Sequence, residues 1–186
     1  SVFIIFRQVI AMSVILTSYK YLKNNHLFKF AMSVIVASSF HISALVFFPI
    51  YFIKKNKLTT KNLIIYSCCG VFIYFYSIPI INFLADTFAT YKYTIESSGG
   101  EKLLLLLLII LTLGLVFKKR VLKNDYNSII LYNIIISSIL IQVFALKFAL
   151  FTRATSYFSI FIIIFIPEVI SNLKNKDLKV IGIFLV

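Results

Sequence analysis

The sequence predicts an all-α protein, a polytopic transmembrane helix bundle that forms a single domain over residues 1–186. Hydrophobic residues make up 61% of the chain and charged residues only 13%, which is more apolar surface than a soluble core of this size can hide. Several apolar runs reach or approach the ~20 residues that a helix needs to cross a bilayer. Lysines cluster between these runs, as is typical of cytoplasmic loops.

The apolar runs predict about six complete spans and a truncated seventh. They lie near 2–22, 29–53, 62–84, 103–117, 127–150 and 154–171, with the truncated run starting at 180. Pro49 and Pro79 fall late in the second and third spans, and each can end or bend its helix because proline lacks the backbone donor. A long polar loop occupies about 86–102. Both chain ends lie within apolar runs, so we expect a fragment of a longer polytopic protein.

The loop charges predict an orientation but leave one conflict. Strict alternation of six spans places eleven Lys/Arg in loops 54–61, 118–126 and 172–179, and seven in 20–29, 86–102 and 147–153. The positive-inside bias then puts 86–102 outside, but it also puts Lys20, Lys23 and Lys29 outside. A broken or re-entrant segment around 38–43 would leave both flanking basic loops inside. Such backbone is tolerated only where protein or a wet cavity satisfies it, and the sequence leaves the two arrangements open.

Other features narrow the functional classes. The net charge of +13 comes mostly from these loops, so we expect no nucleic-acid partner. Cys68 and Cys69 are adjacent in an apolar run without metal-ligand spacing, which favours a packing role. The chain also lacks the motifs of metal-dependent hydrolysis, phosphate-binding loops, serine hydrolases and dinucleotide binding. We therefore expect neither a metal nor a cofactor.

Arg7 and Gln8 interrupt the first predicted span. An arginine at a helix centre costs roughly 2.5–3.5 kcal/mol on insertion scales, so this cation needs a partner. Its planar guanidinium suits a phosphate or a carboxylate, which makes an anionic ligand the first hypothesis. The alternatives are a side chain that snorkels from a helix end and an ion pair with an acidic residue upstream of the chain.

His41 lies on a stripe of small residues. Ser33, Ala37, His41 and Ala44 are spaced four, four and three apart, and small residues at helical spacing let helices approach closely. The imidazole is therefore expected to point into the bundle. It could act as a general base or donate to a sugar or phosphate oxygen. A neutral hydrogen bond between helices is an equal alternative.

Arg153 begins the last complete span, and Tyr157 follows one turn later on the same face. With 86–102 outside, both would lie at the outer interface, where a lipid headgroup could bind. The alternative is an interfacial anchor with an aromatic-belt tyrosine. Tyr91 and Tyr93 in the outer loop could stack on sugar rings, although belt residues would show the same pattern.

Three motifs resemble those of the EpsG family, which is similar to the Wzy-type polymerases of capsular polysaccharide, exopolysaccharide and O-antigen. They are Arg7-Gln8-x-x-Ala11, Ala37-x-x-x-His41-x-Ser43-Ala44 and Arg153-x-x-x-Tyr157-Phe158 with a downstream Pro167. The resemblance covers nearly the whole chain, as the C-terminal half or so of a typical member.

The resemblance implies a multi-pass protein of the cytoplasmic membrane. Members join undecaprenyl-pyrophosphate-linked oligosaccharide repeats at the outer face, without a cofactor. The implied partners are this lipid-linked glycan, the lipid bilayer, and a chain-length regulator and flippase of the same pathway. The predicted site comprises Arg7, His41 and Arg153 as catalytic residues, with Gln8, Tyr157, Tyr91 and Tyr93 as substrate-binding residues.

Three other functions remain open at this stage. A flippase or transporter for the same lipid-linked sugar would also need basic residues in a cavity. An integral membrane acyltransferase acting on polysaccharide would also use a buried histidine and arginines. A structural or assembly subunit would need no chemistry. The polymerase hypothesis requires Arg7, His41 and Arg153 to meet in one water-accessible pocket.

Overall fold

A computed structural model describes residues 2–88 and 100–173 of the chain. Its elements in chain order are α1 (Val2–Lys23), α2 (Leu27–Phe40), a 3₁₀ helix (Ile42–Phe47), α3 (Ile50–Ile53), α4 (Thr60–Phe88), α5 (Glu101–Asn124), a 3₁₀ turn (Tyr126–Ser128), α6 (Ile129–Ala145), α7 (Leu150–Ser159) and α8 (Ile162–Ser171). No strand occurs among the described residues. The predicted all-α class is confirmed, while the truncated span from 180 lies outside the described residues.

Among the described residues, four segments are long and apolar enough to cross a membrane. They are Phe3–Lys23, Thr60–Pro79, Tyr126–Ala145 and Phe151–Ser171. Large apolar side chains cover the outer surface, including Phe3, Phe28 and Phe75, which are 82%, 78% and 69% exposed. Exposed apolar surface on this scale is unfavourable in water and suits contact with lipid. The chain is therefore a membrane protein.

The predicted second span, 29–53, is wrong as a single crossing. Helix α2 ends at Phe40, and His41 adopts an extended conformation with φ −151° and ψ 113°. The chain then returns to the end where α2 began: the Tyr51 hydroxyl donates to the Asn25 carbonyl at 2.8 Å, and the Lys54 ammonium donates to the Leu22 carbonyl at 3.0 Å. Residues 27–53 thus form a helical hairpin, the re-entrant alternative.

The two legs of this hairpin have similar lengths. Helix α2 has 14 residues, which corresponds to about 21 Å at the rise of an α-helix. The 3₁₀ helix has six residues and α3 has four, together about 18 Å. The tip at His41 therefore lies about 20 Å from the starting end, inside a hydrocarbon layer of about 30 Å.

Two serine hydroxyls lie in the last turn of α2. The Ser38 and Ser39 hydroxyls donate back to the Ile35 and Val36 carbonyls, each at 2.7 Å, and such bonds compete with the helical ladder. Proline alone does not set the breaks. Pro49 is the N-cap residue of α3. Pro79, in contrast, lies within α4, which continues to Phe88.

The hairpin gathers the basic residues at one end of the bundle, here called the basic end. This end holds eleven described cations: Lys20, Lys23, Lys29, Lys54, Lys55, Lys57, Lys61, Lys118, Lys119, Arg120 and Lys123. Lys23 pairs with Asp125 at 2.7 Å, and Lys118 donates to the Leu58 carbonyl at 2.8 Å. Lys102, Lys147 and Arg153 lie toward the opposite end, so the conflict in loop charges disappears.

Polar contacts hold the end of the second leg of the hairpin at the basic end. Lys54 is 5% exposed, and its ammonium lies 3.5 Å from the centroid of the Tyr51 ring. Burial, assisted by the neighbouring Lys55 charge, lowers the pKa of Lys54 to about 8. The Asn133 amide on α6 donates to the Lys54 and Asn56 carbonyls, each at 3.0 Å. Helix α6 therefore holds the loop that closes the hairpin.

Helix α6 is also the centre of the bundle, because it is buried on nearly all sides. The Tyr132 hydroxyl donates to the Gly114 carbonyl of α5 at 2.7 Å, and its ring meets Phe165 of α8 edge-to-face at 4.9 Å between centroids. A Cβ on Gly114 would overlap the Phe165 ring and lie 3.2 Å from the Tyr132 ring. Three helices thus meet where only a glycine fits.

Gly114→Ala should lower the free energy of unfolding by about 1–3 kcal/mol, because the added methyl overpacks the junction of α5, α6 and α8. Denaturation of the detergent-purified protein with increasing SDS measures this change. Gly70→Ala is the control, since a Cβ there lies 3.7 Å from Leu140, an ordinary contact. Equal stability of both variants would contradict the predicted packing.

Cysteine accessibility tests the hairpin. In a background with Cys68 and Cys69 replaced by serine, Lys29→Cys and Lys55→Cys should react with a membrane-impermeant maleimide from the same side of the membrane. Lys147→Cys should react from the other side, because α6 separates it from the basic end. Labelling of positions 29 and 55 from opposite sides would mean that 27–53 crosses the membrane.

Candidate functional site

The buried stripe of α1 ends in two polar residues. Its buried members are Ala11, Ile15, Ser18 and Leu22, whose spacing of four, three and four defines one helical face. Arg7 and Gln8 lie one turn before Ala11 on this face. The same periodicity that packs α1 against the hairpin therefore places these two residues beside the hairpin tip, where Arg7 stays exposed and Gln8 is half-buried.

Arg7 binds the tip directly. Its Nε donates to the Phe40 carbonyl at 2.9 Å. That carbonyl ends α2, where the last turn has no helical donors and carries the negative end of the helix dipole. The partner that this cation requires is therefore a backbone oxygen 33 residues away. Within the described residues, the N–H groups on the two Nη atoms make no hydrogen bond.

His41, Ser43 and Tyr157 form a chain of polar contacts beneath the tip. The His41 Nδ1 and the Ser43 hydroxyl oxygen lie 2.6 Å apart, and the Ser43 hydroxyl donates to the Tyr157 phenol oxygen at 3.5 Å. The His41 and Tyr157 ring centroids are 6.5 Å apart. Tyr157 is fully buried. The series of polar contacts therefore connects the half-buried imidazole to the interior of the bundle.

These contacts bear on the protonation of the imidazole nitrogens. Ser43 has a single hydroxyl hydrogen. When Ser43 donates it to Tyr157, the serine oxygen can only accept from His41, so Nδ1 carries the imidazole hydrogen. Nε2 then keeps a lone pair. In this arrangement Nε2 of His41 can accept a proton, as a general base requires.

Arg153 supplies a second guanidinium from α7. It precedes Tyr157 by one turn, and its charge and that of Arg7 both act on His41. Aromatic packing holds α7 against the hairpin, since Phe47 of the 3₁₀ helix lies 5.0 Å from Phe158 and 5.3 Å from Phe161 between centroids. The site is therefore assembled from α1, the hairpin tip and α7.

The described carboxylates lie elsewhere. Asp125 pairs with Lys23, and this hydrogen bond holds the pKa of Asp125 below its usual value. Glu168 accepts a hydrogen bond from Ser128 at 2.6 Å, and Glu101 begins α5. Among Glu101, Asp125 and Glu168, the carboxylates whose side chains the structure describes, none forms an ion pair with Arg7 or Arg153. Two fixed positive charges and one imidazole therefore form a site suited to an anion.

The structure brings together Arg7, His41, Arg153 and Tyr157, although their chemical roles stay predictions. Gln8 is half-buried beside Arg7. The predicted outer-loop residues Tyr91 and Tyr93 lie outside the described residues.

Two details differ from the sequence analysis. The continuous helical stripe through His41 and Ala44 is wrong, because α2 ends at Phe40 and the chain is extended at His41. Tyr157 is fully buried, and is therefore not an interfacial belt residue. Ser43 was not selected as a site residue, although its position two residues after His41 in the motif was the available signal.

Arg7→Ala should loosen the hairpin tip, because it removes a charged hydrogen-bond donor from the Phe40 carbonyl. The loss of about 1.5 kcal/mol corresponds to roughly tenfold faster amide exchange. Hydrogen–deuterium exchange of residues 38–43 in detergent or nanodiscs measures it. Gln8→Ala is the control on the same helical turn. Unchanged exchange at the tip in Arg7→Ala would show that the arginine does not hold it.

Comparison with known proteins identifies one relationship. The model of the EpsG family matches the chain over residues 1–186. No curated protein and no solved structure matches it.

Proposed function

Because the chain belongs to the EpsG family, the family of Wzy-type polysaccharide polymerases, we propose that it joins oligosaccharide repeats carried on undecaprenyl pyrophosphate. The reaction would take place at the outer face of the cytoplasmic membrane, in which the protein is a multi-pass component. The coarser function, that of a membrane polysaccharide polymerase, follows from the family. The substrate, the reaction and the residues are the proposal.

One observation carries the proposal. Arg7, His41 and Arg153 come from parts of the chain more than 30 residues apart, and they meet where α1, the hairpin tip and α7 converge. Packing alone does not require two guanidinium groups beside an imidazole, and none of the carboxylates with described side chains pairs with them. An anionic substrate group accounts for all three, and a pyrophosphate with several acceptor oxygens suits planar guanidinium donors.

The distribution of charge supports an outer location. Of the fifteen described cations, eleven lie at the basic end and four, Arg7, Lys102, Lys147 and Arg153, lie toward the opposite end, so the positive-inside bias assigns the basic end to the cytoplasm. The hairpin tip lies about 20 Å from that end, in the outer part of the hydrocarbon layer. A site at this depth is reached from the outer leaflet, where lipid-linked repeats would be available.

The proposed reaction is a displacement at the anomeric carbon of the donor glycan. A hydroxyl of the acceptor repeat attacks this carbon, and the bond from the carbon to the pyrophosphate oxygen breaks. The electron pair of that bond leaves with the lipid pyrophosphate. The proton of the attacking hydroxyl passes to Nε2 of His41, in the tautomer that carries its ring hydrogen on Nδ1 beside Ser43.

The arginines act on the leaving group. Negative charge develops on the pyrophosphate as the glycosidic bond breaks, and fixed cations in a site of low dielectric constant stabilise this charge most strongly in the transition state. Arg7 keeps its Nε on the Phe40 carbonyl and offers its Nη groups. Arg153 approaches from α7. Gln8 would donate to a neighbouring oxygen of the donor.

His41→Ala and Arg153→Ala, made separately in the full-length protein, should each lower the rate of glycan lengthening by roughly 10²–10³-fold. These magnitudes are typical for the loss of a general base and of a group that stabilises transition-state charge. The measurement follows product length on gels with purified protein and a fixed amount of lipid-linked repeat. Normal expression and folding are verified by size-exclusion chromatography.

His26→Ala is the matched control, because His26 is the other histidine of the chain and lies exposed at the basic end. It should leave the rate of lengthening unchanged. Full activity of both His41→Ala and Arg153→Ala would refute the assigned site. Movement of the lipid-linked repeat across the membrane without lengthening would support a flippase instead, and acyl transfer at constant length would support an acyltransferase.

A further inference from the structure

An elongated cleft lies between α4, α5 and α6. Its volume is about 490 Å³, and its lining comes from these three helices and Leu146, with no residue from α1, the hairpin or α7. It is therefore separate from the site around His41. Nearly all of its lining side chains are apolar, among them Leu104, Leu108 and Leu140.

The cleft runs along the bundle and is open at its side. Its lining on α5 extends from Leu104 to Leu115, which corresponds to roughly 16 Å along the helix, more than half of a hydrocarbon layer of about 30 Å. On α4, Val71 and Phe75 line it while remaining 58% and 69% exposed. A long, flexible apolar chain could therefore enter from the surrounding lipid.

The two ends of the cleft differ in charge. Toward the opposite end, the Lys147 ammonium lies 4.8 Å from the centroid of the Tyr74 ring, which lines the cleft. Lys102 and Glu101 begin α5 just before Leu104. Toward the basic end, Lys118 already donates to the Leu58 carbonyl at 2.8 Å. Lys102 and Lys147 are thus the described cations at that end, and Lys147 contacts the lining residue Tyr74.

We propose that this cleft binds the isoprenoid tail of an anionic polyprenyl phosphate lipid, with the lipid phosphate close to Lys147. The identity of the lipid rests on the proposed function. The apolar lining suits a hydrocarbon chain that enters from the surrounding lipid. Lys147 precedes α7 and Arg153 by a short turn, so a headgroup there lies at the end of the bundle that carries the candidate site.

Gly70 provides a way to close the cleft. It lies on α4 among the lining residues, and a Cβ there would meet only Leu140, at 3.7 Å. Alanine is therefore tolerated without movement of α6. A phenylalanine at this position would extend into the cleft and occupy the volume that the tail needs.

The experiment uses the full-length protein in nanodiscs with a polyprenyl phosphate that carries a photoreactive diazirine in its tail and no sugar. Crosslinked peptides are mapped by mass spectrometry. Crosslinks should concentrate on residues of α4, α5 and α6 that line the cleft, and unlabelled undecaprenyl phosphate should compete for them. Gly70→Phe should reduce labelling about fivefold or more by filling the cleft, while Gly70→Ala should label as the unmodified protein does.

Lys147→Gln tests the headgroup contact and should weaken competition by undecaprenyl phosphate but not by the uncharged alcohol undecaprenol. Equal competition by phosphatidylglycerol would overturn the proposal and identify a general phospholipid site. Labelling spread over the lipid-facing residues of α1, or unaffected by Gly70→Phe, would also overturn it.

The proposed function has a separate readout. His41→Ala should slow lengthening by roughly 10²–10³-fold and leave cleft labelling intact. The methyl group of Gly70→Ala has room beside Leu140. Loss of cleft labelling in this variant would therefore contradict the proposal for the tail, without bearing on the chemistry at His41.

Discussion

One hydrogen bond, from Arg7 to the Phe40 carbonyl, resolves the two least favourable features of this chain at once. A helix that stops inside an apolar layer leaves carbonyls without donors, each at a cost of several kcal/mol. An arginine in the same layer needs an acceptor for its charge. At 2.9 Å the guanidinium caps the broken helix. The hairpin tip and the intramembrane cation therefore depend on each other.

The consequences of this break extend to both ends of the bundle. Because α2 returns instead of crossing, the lysines on both sides of the hairpin lie together at the basic end, where Asn133 of α6 binds the returning loop. At the tip, the extended backbone at His41 places the imidazole in contact with Ser43, whose hydroxyl also contacts Tyr157. Phe47 then packs this short 3₁₀ helix against α7. A packed aromatic support of this kind holds a site in one geometry, as positioned catalysis requires.

Helix α6 separates two environments that a lipid-linked substrate would need. On one side, α1, the hairpin tip and α7 bring cations and an imidazole together without a described carboxylate. On the other side, α4 and α5 enclose an apolar cleft that is open to lipid. On the proposed function, the first environment would hold the reacting pyrophosphate and sugar of the donor, and the second would hold the tail of a polyprenyl lipid whose phosphate lies near Lys147. Gly114 contributes on a further side of α6, because it allows α5, α6 and α8 to meet closely.

The sequence by itself determined that the chain is helical and apolar enough for a membrane, because the relevant quantity, hydrophobicity summed over about 20 residues, is local. It also identified Arg7, His41 and Arg153, since polar groups are conspicuous in apolar runs. Only the tertiary structure decided that 27–53 is a hairpin, that Phe40 is the partner of Arg7, and that Ser43 connects His41 to a buried Tyr157. A run such as 29–53 has the same hydropathy whether it crosses or returns. The outcome depends on whether a donor from another helix, here 33 residues away, satisfies the broken backbone.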